Sequence, residues 1–332
     1  MYKIKQLPED FMVKEISRVD NNETGFYAYF LLKKTNYSTV SALELLSKKL
    51  RTPLKNFSFA GNKDKNAVTE QRISVFRGNK NFENIKLNNI KLKYLGNGKD
   101  SISLGDLEGN EFTITIRNLG NNEIKKIKGI ENKIIKIPNI FGPQRFSRNN
   151  HLVGKAIIKK DFRKAVGLLS ENSGKIEDEI WGYMKNNKND YAGALRLIPL
   201  KTRKLFVHSY QSFLFNNIVA EYVKDNKKEL KNVQIPIIGF NFEIASIKNK
   251  ALKKIIQKIL DDEKINPRDF IISQIPELTS EGGFRDLFFE LKGLKILEIK
   301  DDELNKGKKK AEISFTLPKS CYATIAVDFI FH

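Results

Sequence analysis

An aspartate stands between two lysines in the segment Ser58–Gln71 (SFAGNKDKNAVTEQ), where an apolar run passes through Gly61 into a polar loop. Ammonium groups on either side of Asp64, from Lys63 and Lys65, are expected to hold its carboxylate ionised, ready to act as base or nucleophile. Read alone, such a triplet is most often a solvated turn; Ala67 and Val68 argue instead for a loop tucked back onto a core. A second segment, Ile137–Arg148 (IPNIFGPQRFSR), interleaves Asn139, Phe141, Gln144, Arg145 and Phe146, stiffened by Pro138 and Pro143. Aromatic and guanidinium planes among amides are what stacking on an unpaired base requires, although a buried aromatic turn shares the composition. A third, Val207–Asn217 (VHSYQSFLFNN), starts a helix whose aromatics are expected in a core.

Composition narrows the chemistry. The chain has 332 residues with 59 Lys plus Arg against 39 Asp plus Glu, a formal charge of +20 that points to a polyanion, nucleic acid first. That hint is discounted, because only 12 of the basic residues are Arg and the chain is crowded with Asn and Ile, a bias that A/T-rich coding imposes on any protein. Cys321 is the single cysteine, and His151, His208 and His332 show no ligand spacing, so a disulfide or structural zinc is not expected. No phosphate-binding G-x-x-x-x-G-K motif is present, and Gly96-x-Gly98 continues into Ser101 where a dinucleotide fingerprint needs a third glycine. No apolar run reaches a spanning length and the N-terminus lacks a signal core. The expectation is a soluble, cytoplasmic protein that works without a metal, nucleotide or other cofactor and away from membranes.

These segments need elements to position them, and the periodicity supplies them. Residues 11–17 and 26–33 read as strands, 38–50 as a helix with Val40, Leu43, Leu46 and Leu50 on one face, and Ser41 with Glu44 resembles a capping box. Phe57–Ala60 and Ile73–Phe76 are short strands, and 111–117 alternates with Phe112, Ile114 and Ile116 on one face. From about Leu152 to Ile259 the pattern turns helical, at 162–170, 176–186, 209–223 and 246–259. Strands return at 286–291, 294–299 and 311–317, with 299–310 as a solvated hairpin loop and an apolar tail from Tyr322 to Phe331. A length beyond one ordinary core and a mixed–helical–mixed order predict an α+β discontinuous domain carrying an insertion.

In order along the chain, PEDFMVKEI (Pro8–Ile16), FAGNKDKNAVTEQ, NIFGPQRF, YQSFLFN, EGGFR (Glu281–Arg285) and LPKSCYAT (Leu317–Thr324) resemble the TruD family of tRNA pseudouridine synthases, from residue 5 to about 326. The resemblance implies a pseudouridine-synthase catalytic domain on a mixed or antiparallel sheet, residues 1–160 and 297–332, with an α/β TRUD domain inserted over 161–296. It implies tRNA as partner, other RNAs remaining possible, and uridine 13 of the D arm as target. Asp64 matches the catalytic aspartate. Phe11, Asn139 and Phe141 match positions lining the uridine pocket, Tyr322 the aromatic that closes it, and Lys5 a basic residue beside the aspartate; Lys63 and Arg145 are counted with the RNA-binding set. The chain departs from the family pattern at Ser320-Cys321, where Gly-Ser is usual, and at Asp328-Phe329, where Arg-Glu is usual. Ile140 and Ser147 are milder departures.

Pseudouridine formation moves uracil from an N1 to a C5 linkage on the same sugar, with no atom lost and no redox change, which suits a chain without cofactor motifs. Asp64 either attacks the anomeric carbon or removes the C2′ proton, and the residues do not choose between them. The uridine must leave its stack, with Phe141 and Tyr322 receiving it and Asn139 hydrogen-bonding its edge. Two other readings stay open: a catalytically silent RNA binder or chaperone on the same fold, and a membrane-surface protein using the amphipathic stretch 246–259.

Overall fold

Strand alternation places Phe11, Val13 and Glu15 on the inner side of the first strand and Ala28, Phe30, Leu32 and Lys34 on the inner side of the second. The structure, a computed structural model, describes residues 1–17, 24–170, 174–225 and 233–331. In chain order it runs through β1 (Phe11–Ser17), β2 (Tyr27–Thr35), α1 (Thr39–Lys49), β3 (Phe57–Phe59), β4 (Val68–Phe76), β5 (Ile90–Gly98), β6 (Leu107–Leu119), α2 (Asn121–Ile130) and β7 (Ile135–Pro138). Then follow α3 (Asn150–Ile158), α4 (Phe162–Ser170), α5 (Lys175–Asn186), α6 (Tyr191–Arg196), α7 (Leu200–Asp225), β8 (Gln234–Ile237), α8 (Lys250–Glu263) and β9 (Gly283–Asp286). The chain ends with β10 (Phe288–Asp301), β11 (Lys309–Pro318) and α9 (Ala323–Phe331).

Two compact units result, Met1–Ile137 with Phe289–His332, and Pro138–Phe288. From the sequence these limits are expected at 160/161 and 296/297. The earlier boundary has a physical cause: α3 packs on α7 so closely that a Cβ on Gly154 would lie 2.0 Å from the Phe206 carbonyl oxygen, which ties α3 to the helical unit. The later one follows from β10, a single strand where two were expected, bulged near Gly293 at φ +63.

The first unit is built on a sheet ordered β5-β2-β4-β1-β6-β11-β10-β7, with β3 on β4. β1 and β4 are parallel, whereas β1–β6, β6–β11, β10–β11, β2–β4 and β2–β5 are antiparallel. The fold is therefore α+β, as expected, and its mixed sheet is mainly antiparallel. Ala42, Leu43 and Leu46 of α1 pack with Phe30, Leu32, Ile73, Val75 and Ile90 into one apolar cluster. The helix is capped by Ser38, whose hydroxyl accepts the Ser41 N–H at 3.1 Å, rather than by the Ser41–Glu44 box.

Both sides of β6 are covered. Phe112, Ile114 and Ile116 fill one side, and on the other Arg117 is buried among carboxylates. Its guanidinium meets Asp10 at 2.8 and 2.9 Å, Asp302 at 3.0 Å and Glu303 at 3.1 Å. The expected solvated hairpin loop is thus anchored at its start, since Asp302 is buried. Asp10 also accepts the Leu7 N–H at 2.9 Å, and Lys3 exchanges backbone hydrogen bonds with Arg117 at 2.8 and 2.9 Å. This cluster fixes the N-terminal segment that carries Lys5. At the other end, Tyr2 stacks on Phe331 at 4.4 Å and its hydroxyl donates to Asp328. Burial, reinforced by Asp328, pushes the Tyr2 phenol above its ordinary pKa. Asp328, a departure from the family pattern, therefore has a local partner.

In the second unit, α7 begins at Leu200, well before the expected start at 209, after Pro199, whose carbonyl accepts the Thr202 N–H at 2.8 Å. Tyr210, Leu214 and Phe215 are buried, as the aromatic motif suggested. α8 buries Leu252, Ile255, Ile256, Ile259 and Leu260 and exposes Lys253, Lys254 and Lys258. The apolar face that a membrane-surface helix would need is occupied by its own unit. Among the described residues no helix is long and apolar enough to cross a membrane.

Candidate active site

The Asp64 loop leaves β3 and returns into β4 with its backbone held by side chains from beneath. Ala67 is fully buried, as its apolar character required, and its carbonyl accepts the Asn36 N–H at 3.3 Å. The Gly61 carbonyl accepts from Gln71 Nε2 at 3.0 Å, and Gln71 Oε1 accepts from the Thr39 hydroxyl at 2.8 Å. Thr39 Oγ1 in turn accepts the Lys63 N–H at 2.9 Å. Asp64's own carbonyl accepts from Lys34 Nζ at 3.0 Å. A rigid base thus presents a half-open carboxylate, 42% exposed.

Lys5 Nζ lies 2.6 Å from Asp64 Oδ2 and 3.9 Å from the centroid of the Phe11 ring. Phe11 is buried edge-on against Phe112, so its ring supports the ammonium from below. Lys5 adopts a left-handed backbone, φ +59, which is uncommon for a side chain of its size. Lys63, expected beside the aspartate, turns inward instead: its ammonium is buried and pairs with buried Glu15 at 2.6 Å. Its contribution is to hold the loop, and the cation that meets the carboxylate is Lys5. Lys65 is exposed.

The other expected site residues lie in the second unit, apart from Tyr322. Asn139 is buried; its N–H donates to the Leu287 carbonyl at 2.8 Å. Arg285, from the EGGFR motif, donates Nε to the Asn139 carbonyl at 2.8 Å and Nη2 to Oδ1. Asn216 of α7 brackets Phe141, accepting its N–H and donating to its carbonyl, both at 2.9 Å. The Phe141 ring is buried, edge-on to Phe215 at 5.3 Å, with the guanidinium carbons of Arg285 and Arg145 at 4.6 and 5.3 Å from its centroid. Arg145 offers its carbonyl to the Ser209 hydroxyl at 2.7 Å. In the first unit, Tyr322 is half-buried just ahead of α9, its carbonyl accepting the Ala326 N–H at 3.1 Å. The structure therefore gathers Lys5, Phe11 and Asp64 in one unit and Asn139, Phe141 and Arg145 in the other.

Sequence reasoning missed the polar residues beneath the loop. Glu15, Lys34 and Gln71 each fall in phase with buried apolar neighbours on β1, β2 and β4, at Val13, Leu32 and Ile73. That period-two phase was the available signal. Arg285 and Asn216 lay inside motifs already noticed and were given no role.

Comparison with known proteins gives a consistent answer. A family model described as tRNA pseudouridine synthase D (TruD) matches residues 2–186, 170–232 and 219–328. A Methanosarcina barkeri protein named probable tRNA pseudouridine synthase D is 31% identical, across 97% of this chain and 91% of its own length. The Aquifex aeolicus tRNA pseudouridine synthase D is 29% identical, across 99% and 98%. A crystal structure described as that of TruD from Methanosarcina mazei superposes with a TM-score of 0.74 at 30% identity, covering 97% of this chain and 92% of that one.

Proposed function

We propose that this chain, which belongs to the tRNA pseudouridine synthase D (TruD) family, isomerises uridine 13 in the D arm of transfer RNA, with Asp64 as its essential carboxylate. The family makes it an RNA pseudouridine synthase, an isomerase. One observation supports the residue assignment above the others: a half-open carboxylate on an anchored loop, contacted by an ammonium that itself rests on a buried aromatic ring. We assign Met1–Ile137 with Phe289–His332 as the catalytic domain and Pro138–Phe288 as the family's insertion.

The reaction breaks the N1–C1′ bond, turns the uracil and forms C5–C1′; the proton leaves C5 and one is gained at N1. Asp64 begins it, by attack on C1′ or by taking the C2′ proton. In either role it needs its negative charge, and Lys5 supplies the compensating cation at the place where that charge is used. Asn139 and Phe141 are assigned to holding the unstacked uracil, Tyr322 to covering it and Arg145 to RNA contact. Lys5→Met removes the cation and keeps the stem over Phe11; turnover should fall roughly 10–100-fold with little change in unfolding temperature, because the pair is partly exposed. Single-turnover assays and thermal melts measure both.

The +20 charge, carried mostly by Lys, is assigned to the phosphates of the folded RNA in the cytoplasm. Binding should weaken more than about tenfold between 50 and 200 mM salt, as filter binding would show. Mapping pseudouridine in total RNA from cells with and without this protein tests the function itself. Loss confined to uridine 13 of tRNA supports it, and an unchanged map rejects it.

A further inference from the structure

Lys34 closes the inward-facing series of β2 after Ala28, Phe30 and Leu32, and it is wholly buried. A lysine at such a position loses the hydration of its ammonium, a cost a leucine would not carry. Burial accordingly pulls its pKa down to about 8, with Asp64 acting against the fall and Lys63 adding to it. The ammonium donates to two backbone carbonyls, Tyr37 at 2.6 Å and Asp64 at 3.0 Å. The first lies in the turn between β2 and α1, and the second belongs to the aspartate itself. A cation is thus buried beneath the loop, bonded to the main chain of the residue whose side chain stands above.

We propose that Lys34 is a positioning residue for the reaction: its ammonium holds the main chain of Asp64 from inside the core and so fixes where the carboxylate points. This rests on the reading of Asp64 as the essential carboxylate. The mechanism is geometric. Carbonyl and side chain share one Cα, so a bond that pins the carbonyl restricts the shifts of that Cα that would carry the carboxylate with it. A displacement near 1 Å at a reacting group can cost about 10²-fold in rate. The other anchors act elsewhere on the loop, at Gly61, Lys63 and Ala67. Lys34 bonds residue 64 directly. Its positive charge also stays buried in the core beneath the loop.

Lys34→Met keeps the stem and removes charge and donors. Expected is a fall of roughly 10–100-fold in single-turnover rate, with tRNA affinity and KM within about threefold of the parent and a cooperative thermal transition retained. Lys34→Gln, which keeps an uncharged donor on a shorter stem, should recover part of the loss, and it is the variant to read if Lys34→Met does not fold. A folded Lys34→Met turning over within twofold of the parent overturns the proposal, as does a rate loss matched by an equal loss of tRNA affinity. If Lys34→Met does not fold, a Lys34→Gln rate within twofold of the parent overturns it too. Asp64→Asn is assayed alongside: if that variant keeps turnover, it is the aspartate reading that fails, whatever Lys34→Met does.

Discussion

Asp64→Asn should abolish pseudouridine formation, by at least about 10³-fold in single turnover, while binding tRNA within about threefold of the parent. The substitution is isosteric and changes only charge and one oxygen. The loop beneath does not depend on that carboxylate: Lys34 bonds the Asp64 carbonyl, Thr39 bonds the Lys63 N–H, and Lys63 pairs with Glu15. What is lost is the pair with Lys5, whose aspartate partner is 42% exposed, so the fold should lose no more than about 1 kcal/mol. Neither route survives, because an amide is a poor nucleophile toward C1′ and no base toward the C2′ proton. Binding should persist, since one half-exposed anion fewer does not weaken a surface of net +20 toward phosphate. Retained turnover with normal kinetics would sink the assignment. Should the parent itself make no pseudouridine in cognate RNA, the silent RNA-binding reading takes over.

The contrast between Asp64 and Lys63 shows what could be read from sequence. Adjacent in an unusual K-D-K, both are expected site residues, yet one faces solvent and the other is buried against Glu15. Alternation along a strand is a strong signal when its buried face is apolar, which is why β1, β2 and the Phe112–Ile116 face were legible. The same alternation places Lys34 and Glu15 inward, and Arg117 is buried on the opposite side of β6, but charged residues are almost always assigned outward unless a partner is known. Those partners are remote in sequence: Asp302 lies on a hairpin loop far from Arg117, and Glu15 lies on β1 whereas Lys63 lies in the loop between β3 and β4. The motifs carried the family, and thereby the chemistry, because their order is independent of such contacts. They could not carry the supports beneath Asp64, which arise only when β1, β2, β4 and α1 are brought together.

Arg117→Met should be the most destabilising single substitution in the sheet unit away from its apolar core, by about 3–5 kcal/mol at neutral pH in urea unfolding. The guanidinium is 3% exposed and engages Asp10 and Asp302, whose side chains are 2% and 0% exposed. A methionine fills much of the space but leaves both carboxylates in the interior without their cation, and that uncompensated charge is where the cost arises. The pH dependence separates this from simple loss of packing. Burial alone would raise the Asp302 carboxyl, yet the N–H groups of Asn118 and Leu304, the Asn305 amide and Arg117 outweigh it and hold it at about 2. A folded pKa below the unfolded value near 4 means that its stabilisation is complete above about pH 4 and is lost as pH falls toward 2. The parent should therefore lose stability steeply over that interval, and Arg117→Met, lacking one of the four groups, should show a shallower acid slope from a lower plateau. Function should follow as well, because Asp10 holds Leu7 and the segment before it places Lys5 on Asp64. At a temperature where Arg117→Met is still folded, its turnover should approach that of Lys5→Met. A variant within 1 kcal/mol of the parent, with an unchanged acid slope, would show that the cluster does not hold this segment.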